Sequence, residues 1–323
     1  MPTIQEFPLG AFVVESAFLG GPAAYALGDG TVRLADGETA KMVTVHSGAI
    51  LAAASDGARL LTAGDDGLVA SVDAGGTVTR LGERPRKWIT QVAIGPQGAV
   101  AFGAGKQAVV RFADGRERTF DHERSVGGLA FAPKGMRLAV ARYDGVTLWW
   151  AGTDSAPVSL SWKGAHLGVT FSPDGKAVVT TMQENALHGW KLDDGKDMRM
   201  SGYPAKPKSM SWSAKGRFLA TSGANAAILW PFHYKDGPIG RQPLQLGVRE
   251  ALVTRVACHP KEELLAVGYA DGMILAVRFG DAEEALLRKA GGGPVSALAW
   301  DKGGLKLAFG TEDGAAGVVS LVN

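Results

Sequence analysis

The segment VTFSPDGKAVV, residues 169–179, decides the fold, because it joins two apolar stretches through a Ser-Pro-Asp-Gly turn. Proline presets the backbone angle of a turn and glycine supplies positive φ, so the segment predicts two short strands in a hairpin. The same arrangement recurs seven more times along the chain, at residues 16–27, 50–61, 92–102, 129–140, 210–220, 256–267 and 298–309. The chain is therefore an array of eight internal repeats.

The spacing of the repeats predicts the architecture. Corresponding turn positions are Gly20, Gly57, Gly98, Gly135, Gly175, Gly216, Glu262 and Gly304. Their mean separation is about 41 residues, the length of a four-stranded blade. Seven blades would need about 46 residues each, a spacing that only one interval approaches. We predict a single all-β domain over residues 1–323, a β-propeller with eight four-stranded antiparallel blades and seven as the alternative.

A second turn follows each mark by nine residues and always carries an acid or an amide. These residues are Asp29, Asp66, Gln107, Asp144, Glu184, Asn225, Asp271 and Asp313. In five repeats glycine comes next, and Asp-Gly between apolar segments is a strong hairpin signal. We expect each acid to bond within its own turn rather than to share a metal ion.

The eighth repeat has no outer strand of its own, because the sequence ends soon after its third strand at 316–322. Residues 3–7, TIQEF, precede the first repeat and can supply it, which closes the ring and protects a sheet edge. The local structure of two other segments is also predicted. Residues 281–290 are predicted as an outer strand, with a helical turn as the alternative, and residues 231–243 as a surface loop of the sixth repeat.

These residues resemble the WD-repeat family of β-propellers, in the form of a bacterial-type, stand-alone protein with degenerate repeats. The family pattern combines a His, a Ser/Thr, an Asp and a Trp in each blade. The second repeat keeps His46, Thr62 and Asp66, with Val72 in place of Trp. The fourth keeps His122, Asp144 and Trp149, with Val140 in place of Ser/Thr. No repeat has all four.

Further partial matches lie in later repeats. The fifth repeat has Thr180, Glu184 and Trp190, and the sixth has Thr221, Asn225 and Trp230. Asp271 and Asp313 match the turn acid of the last two repeats. The resemblance implies a structural role for all of these residues and buried hydrogen-bonding histidines at His46 and His122. His166, at a strand entrance, is expected to be the exposed histidine.

Composition excludes several classes of protein. One cysteine excludes an internal disulfide framework, and a net charge of +2 is too balanced for a dedicated nucleic-acid binder. No apolar run of about 18 residues is present, and the opening MPTIQEFPLG does not look like a secretory signal. We predict a cytoplasmic, monomeric ring without membrane contact, with nucleic acid an unlikely partner.

The sequence offers no strong catalytic, cofactor-binding or metal-binding pattern. The six histidines include no close-spaced pair, and Gly291–Gly293 precede a strand rather than the helix of a phosphate-binding loop. Cys258 occupies the strand position held by Phe131 and Trp300, which predicts a buried, inert thiol. Trp149, Trp150 and Trp190 are expected to pack between blades rather than to serve as stacking platforms.

A non-enzymatic scaffold that binds a protein or peptide is therefore the main functional hypothesis. The alternative is an enzyme or a small-ligand or metal binder that uses the central channel. Small inner-strand residues favour packing there: Ala93, Ala101, Ala130, Ala139, Ala220 and Ala299.

The resemblance places the partner on the face of the Asp-Gly turns, where family members that bind peptides commonly do so. The predicted contact residues are Trp88, Lys106, Arg124, Tyr143, His166, Gln183, Lys206 and Lys208. Arg84, Arg86 and Lys87 precede Trp88, and an aromatic side chain beside positive charge suits an acidic partner.

Overall fold

The computed structural model describes residues 2–37 and 39–321, which form β-strands joined by turns. The strands that precede and form the first two repeats are β1 (Thr3–Pro8), β2 (Val13–Phe18), β3 (Ala23–Leu27), β4 (Thr31–Asp36), β5 (Thr39–Thr44), β6 (Ile50–Ser55), β7 (Arg59–Gly64), β8 (Leu68–Asp73) and β9 (Val78–Glu83). A 3₁₀ turn, Pro96–Gly98, is the one helical segment in the described part of the chain.

The remaining strands continue the same succession. Repeats three to five contain β10 (Ile89–Ile94), β11 (Val100–Ala104), β12 (Gln107–Arg111), β13 (Glu117–Asp121), β14 (Gly128–Phe131), β15 (Arg137–Trp150), β16 (Val158–Phe171), β17 (Ala177–Met182), β18 (Leu187–Lys191) and β19 (Asp197–Met200). Repeats six to eight contain β20 (Met210–Trp212), β21 (Phe218–Thr221), β22 (Ala227–Pro231), β23 (Leu244–Leu246), β24 (Val253–Cys258), β25 (Leu264–Tyr269), β26 (Ile274–Arg278), β27 (Glu284–Arg288), β28 (Val295–Trp300), β29 (Lys306–Thr311) and β30 (Ala315–Ser320).

The described residues form seven hydrogen-bonded antiparallel sheets, six of four strands and one of six. Seven sheets match the alternative of seven blades, and the preferred prediction of eight blades is corrected. The six-stranded sheet contains both the fourth and the fifth repeats, because β15 and β16 each include two strand segments. All eight sequence repeats are present in the ring, two of them in one sheet.

Two local features explain the merged sheet. Within β15 the chain reverses at Asp144 and Gly145, whose φ angles of 64° and 131° suit a two-residue hairpin. The Arg142 Nε atom donates to Thr147 Oγ1 at 2.9 Å across this turn. Within β16 the strand continues through the connection between repeats, with a positive φ of 117° at Gly164, and Ala165 pairs with Tyr143. The hydrogen-bond ladder therefore runs on from one repeat into the next.

The N-terminal strand closes the ring as predicted. β1 pairs antiparallel with β30 from Thr3 opposite Ser320 to Pro8 opposite Ala315. The resulting sheet has the order β1-β30-β29-β28, so the last repeat takes its outer strand from the start of the chain. Residue 322 of the predicted partner strand lies outside the described residues.

The core lies between adjacent sheets. Strands in the middle of each sheet are buried on both faces, as in β3, where all five residues are buried. One cluster joins Ala220 and Leu229 of the sixth repeat to Leu265 and Val267 of the seventh. Each fully buried leucine stabilises the fold by about 1.5–3 kcal/mol relative to exposure. Similar clusters lie between every other pair of neighbouring repeats, so the core is divided among the junctions of the ring.

The two open segments have definite structures. Residues Glu284–Arg288 form a strand, so the strand prediction for 281–290 is confirmed and its helical alternative is wrong. The chain between Pro231 and Leu244 is a loop from the third to the fourth strand of the sixth repeat, where the sequence placed it.

Candidate binding face

The hairpin turns that carry an acid or amide lie beside the segments that lead into the next repeat. Backbone hydrogen bonds join them: Arg84 N donates to Gly67 O at 2.8 Å, His122 N to Lys106 O at 2.9 Å, and Gln183 N to Ala165 O at 3.0 Å. These turns and entry segments together form one side of the ring, which we call the turn face. The turns on the other side form the opposite face.

The close contact between turn and entry segment explains the glycine after the acid. At Gly67, φ is +81° and an added Cβ atom would lie 2.3 Å from the Arg84 carbonyl oxygen. A backbone atom cannot move aside as a flexible side chain can, so a larger residue would break the contact. Glycine therefore serves both the turn conformation and the packing of the face.

A polar network in the second repeat holds the turn at Asp66 in place on the turn face. His46 Nδ1 lies 3.0 Å from Asp66 Oδ1, and His46 Nε2 lies 2.9 Å from Thr62 Oγ1. Asp66 also accepts the backbone N–H groups of Ser47 and Leu68, each at 3.0 Å. Burial acts to raise the pKa of Asp66, but these hydrogen bonds outweigh it and lower the pKa.

The fourth repeat has an incomplete version of this network. Trp149 Nε1 donates to His122 Nε2 at 3.1 Å, while Asp144 accepts the N–H of Gly164 at 3.2 Å. The Ser/Thr position is the apolar Val140, which is fully buried. His122 therefore contacts Trp149 without the hydroxyl partner that His46 has.

The fifth repeat corrects the prediction for His166, which is buried with 1% of its surface exposed. His166 Nδ1 lies 2.7 Å from Thr180 Oγ1 and Nε2 lies 2.9 Å from Trp162 O. It thus occupies the place of His46, and the expectation of an exposed contact residue is wrong. A signal was available, because His166 precedes Thr180 by 14 residues and His46 precedes Thr62 by 16.

The sixth repeat uses a tyrosine where the second and fifth repeats use histidine. Tyr203 Oη lies 2.6 Å from Thr221 Oγ1 and accepts Trp230 Nε1 at 2.6 Å. The role of Tyr203 was not predicted from the sequence, because the family pattern has a histidine at this position. Its position 18 residues before Thr221 resembles the spacing of the histidines from their threonines.

Three other turn acids bond within or beside their own turns. Asp271 accepts the N–H of Met273 at 3.0 Å, and Asp313 accepts that of Gly293 at 2.7 Å. Glu184 accepts the N–H of Ala165 at 3.2 Å. Among the described residues no three His, Cys, Asp or Glu side chains come together as a metal site.

The predicted contact residues are mostly accessible on the turn face. Trp88 is 69% exposed and Tyr143 is 50% exposed. Four further members are exposed: Lys106, Arg124, Gln183 and Lys208. Lys206 is half-buried. The half-buried Lys206 donates its Nζ to Gln183 Oε1 at 2.6 Å.

The structure brings three of these residues together. Arg124, Tyr143 and the buried His166 line an open depression of about 680 Å³ between the fourth and fifth repeats. The rest of its wall is mainly small or aliphatic: Ser125, Val126, Gly127, Ala165 and Leu167. The remaining predicted contact residues lie outside it.

The basic cluster before Trp88 is smaller than predicted. Arg84 Nη2 pairs with Glu117 Oε2 at 2.7 Å, and its guanidinium lies 5.2 Å from the centroid of the Phe102 ring. Arg86 and Lys87 are exposed and have no carboxylate within 4.0 Å in the described part of the chain. Arg84 therefore has a structural role, and two cations accompany Trp88.

The candidate reactive groups elsewhere are poorly suited to catalysis. Desolvation raises the pKa of the Cys258 thiol to about 12, although the residue as a whole keeps partial exposure. Cys258 lies opposite Leu265 just as Phe131 lies opposite Leu138, so it holds the predicted strand position. Trp190 is buried in the core, whereas Trp150 is 41% exposed beside Arg137.

Comparisons with known proteins agree with the repeat pattern. Over 200 residues, 59% of this chain, the sequence is 26% identical to WD repeat-containing protein 55 of Rattus norvegicus and 25% identical to that of Homo sapiens. The chain is a β-propeller whose repeats are similar to those of WD-repeat proteins. It spans about half the length of these curated relatives, 51% in both cases. No family model matches the sequence.

A solved structure has the same fold as this propeller. The crystal structure of the computationally designed Ika8 protein superposes with a TM-score of 0.76 at 19% identity and covers 97% of both chains. Such a likeness concerns the fold alone. In the described residues of the propeller, no helix has the length and apolar character needed to cross a membrane.

Proposed function

We propose that this WD-repeat propeller is a non-enzymatic scaffold that binds an acidic protein or peptide on its turn face. The observation that carries the proposal is the depression between the fourth and fifth repeats, where Arg124 and the half-exposed Tyr143 flank a largely aliphatic wall. Aromatic residues and arginine are enriched among interface residues that dominate binding energy. The depression offers a pocket for one apolar side chain of the partner.

Charge on the face supports an acidic partner. Within the described residues, Lys106, Arg124 and Lys208 have no carboxylate within 4.0 Å, and each is exposed. Exposed acids, including Glu123, are also present, so the face is mixed rather than uniformly basic. Complementary charge then steers the partner and sets its orientation, while the depression anchors it.

The enzymatic alternative has less support. A nucleophilic cysteine needs a lowered pKa, whereas that of Cys258 is raised. His166 is buried against Thr180 and Trp162, so its ring nitrogens are already engaged. The predicted cytoplasmic location and monomeric state stay predictions, as does the absence of a bound cofactor.

Affinity capture with the intact ring tests the proposed face. The decisive variant is Tyr143→Ser/Arg124→Glu, which removes the aromatic contact and reverses the charge. Its matched control is Leu305→Ser/Lys302→Glu, which changes one exposed apolar and one exposed basic residue on the opposite face. We expect the control to retain the partners of the parent protein and the first variant to lose them.

The variant Trp88→Ala tests whether the contact with the partner extends across the turn face to the third repeat. A reduced yield of the same partners would show that it does. If Trp88→Ala and Tyr143→Ser/Arg124→Glu both fold and capture the same partners as the parent, the turn face is not the binding site. A melting-temperature screen against divalent metals and small metabolites addresses the channel alternative, which a specific stabilisation would favour.

A further inference from the structure

A second cavity lies on the opposite face, between the fifth and sixth repeats, and is separate from the proposed partner site. It has a volume of about 520 Å³. Its walls come from the turn between β16 and β17, the turn between β20 and β21, and the loop at residues 232–243. Pockets for small ligands commonly occupy about 300–1,000 Å³, so this cavity has room for one.

Three lysines on three different segments line the cavity: Lys176, Lys215 and Lys235. All three are exposed, and none has a carboxylate within 4.0 Å among the residues that the structure describes. Three ammonium groups that line one cavity concentrate positive charge there, and an anion between them would lower their mutual repulsion. The three lysines therefore favour occupation by an anion.

The other charged groups at the cavity are already engaged. Lys191 lies 3.2 Å from Asp194 and 3.8 Å from Asp193, and Arg217 lies 3.2 Å from Glu263. Asp174 accepts the Ser172 hydroxyl at 2.6 Å and the Lys176 backbone N–H at 3.0 Å. Within the described residues the three lysines therefore supply positive charge without a carboxylate within 4.0 Å, while Asp174 keeps a negative charge that interacts electrostatically with Lys176.

The loop that supplies Lys235 is held in place on both sides of that residue. Phe232 N donates to Arg217 O at 2.8 Å, and the Phe232 ring contacts the Trp212 ring at a centroid distance of 4.7 Å. Asp236 lies 3.5 Å from Lys191 and 3.4 Å from Lys196. Lys235 is thus presented from a fixed backbone, and a preorganised site binds with a smaller loss of entropy.

Aromatic groups give the cavity a second kind of contact. Tyr234 is 42% exposed, and its ring lies 4.2 Å from both the Arg241 guanidinium and the His233 ring. Tyr234, Phe232 and His233 all line the cavity. A ligand with an organic group beside its charge fits this combination better than a simple halide does.

We propose that this cavity binds a phosphate group, with Lys176, Lys215 and Lys235 as its cationic ligands and the aromatic wall against the organic group that carries it. Lysine ammonium groups bind phosphate as point charges and donate charge-assisted hydrogen bonds to its oxygens. The site does not depend on the proposed turn-face partner, because its residues all lie on the opposite face.

Titrations of inorganic phosphate and pyrophosphate, followed by ³¹P NMR line broadening at constant ionic strength, test the proposal. The decisive variant is Lys176→Gln/Lys215→Gln/Lys235→Gln. The control Lys134→Gln/Lys289→Gln/Lys302→Gln removes the same charge from exposed lysines outside the cavity. We expect the control to bind as the parent does and the cavity variant to bind at least tenfold more weakly.

The outcomes separate site binding from general attraction to positive charge. Equal weakening in both variants would show a net-charge effect and overturn the proposal, as would equal binding by all three proteins or no binding by the parent. Sulfate at the same concentration is an additional arm. Competition by sulfate would show that the site recognises tetrahedral anions, and circular dichroism confirms that each variant is folded.

Discussion

Two junctions of the ring, between the eighth and first repeats and between the fourth and fifth, join neighbours by different means. At the first, β1 comes from the start of the chain and is held to β30 by hydrogen bonds. At the second, β16 runs unbroken from one repeat into the next, and Ala165 continues the ladder opposite Tyr143. The first junction is closed only by noncovalent contacts, so it can open without breaking a covalent bond. The second junction is a continuous strand, and it depends on the backbone geometry of the residues where the repeats meet.

Side chains reinforce the closing strand. Phe7 contacts the ring of Tyr25 at a centroid distance of 5.6 Å, and Tyr25 Oη donates to Gly317 O at 2.8 Å. Arg288 of the seventh repeat bonds Glu6 at 3.1 Å. The closing strand therefore links three repeats, which is why its loss should affect the whole ring.

Deletion of residues 1–8 should have the largest effect on stability. It removes a ladder of six residue pairs and exposes the edge of β30. At about 1 kcal/mol for each hydrogen bond lost, the free energy of unfolding falls by several kcal/mol. We expect the melting temperature to drop by about 10 °C or more in a calorimetric scan. Deletion of residues 1–2 alone is the control, and an equally small change in both would contradict this account of closure.

Gly145→Ala should be the most damaging single substitution at the other junction. The φ of Gly145 is +131°, and an added Cβ atom would lie 2.1 Å from Leu160 O. We expect a loss of about 3 kcal/mol in urea unfolding, from strain and displaced backbone together. Gly135→Ala is the control, because φ is +72° there and nothing lies within 4 Å. Its cost should be near the conformational penalty of about 1–2 kcal/mol. Equal losses would show that the close contact is unimportant.

Tyr25→Phe should have a smaller effect at the closing junction. It removes one buried hydrogen bond and leaves the Gly317 carbonyl without that donor, at a cost of about 1–3 kcal/mol. The exposed Tyr143→Phe is the control and should leave the unfolding midpoint unchanged. If both variants unfold at the parent's urea concentration, the hydroxyl of Tyr25 does not stabilise closure.

His188 should make the stability of the junction between the fourth and fifth repeats depend on pH. Its titration should not change the free energy of unfolding at neutral pH. Its ring is stacked on Trp162 at 4.0 Å, and burial lowers its pKa to about 4, against the opposing charge of Asp197. The unfolded chain therefore binds a proton that the folded protein excludes. Protonation of His188 in the unfolded chain therefore does not lower the free energy of unfolding above the pKa of an unfolded histidine, about 6.5. It lowers this free energy progressively as the pH falls from there towards 4.

The measurement is urea unfolding of the parent and His188→Phe between pH 7.5 and 4.5. Phenylalanine keeps a ring against Trp162 and does not titrate, so the variant should lose less stability on acidification. Parallel curves for the two proteins would show that His188 does not cause the pH dependence.

Local sequence patterns predicted most of the fold. Pro-Asp-Gly and Asp-Gly turns act over a few residues, and the alternation of strands between them sets the repeat length. The pairing of residues 3–7 with the last repeat followed from counting strands. Cys258 was placed correctly because register follows from distance to the turn.

The candidate site was only partly predictable. Sequence position placed Trp88, Arg124 and Tyr143 on the turn face, since the turns define that face. Burial of His166 depends on Thr180 and Trp162, and removal of Arg84 from the basic cluster depends on Glu117, which lies 33 residues away. Position along a strand does not reveal which distant side chain will supply such a partner.

The sequence by itself determined the repeat, its turns and the strand that closes the ring, because turn chemistry and strand periodicity are short-range properties of the chain. Only the tertiary structure decided that the fourth and fifth repeats share one sheet, that His166 is buried, and that three lysines from separate segments line one cavity. Each of these depends on how neighbouring repeats approach one another. That approach is set by packing between sheets, which joins residues far apart in sequence.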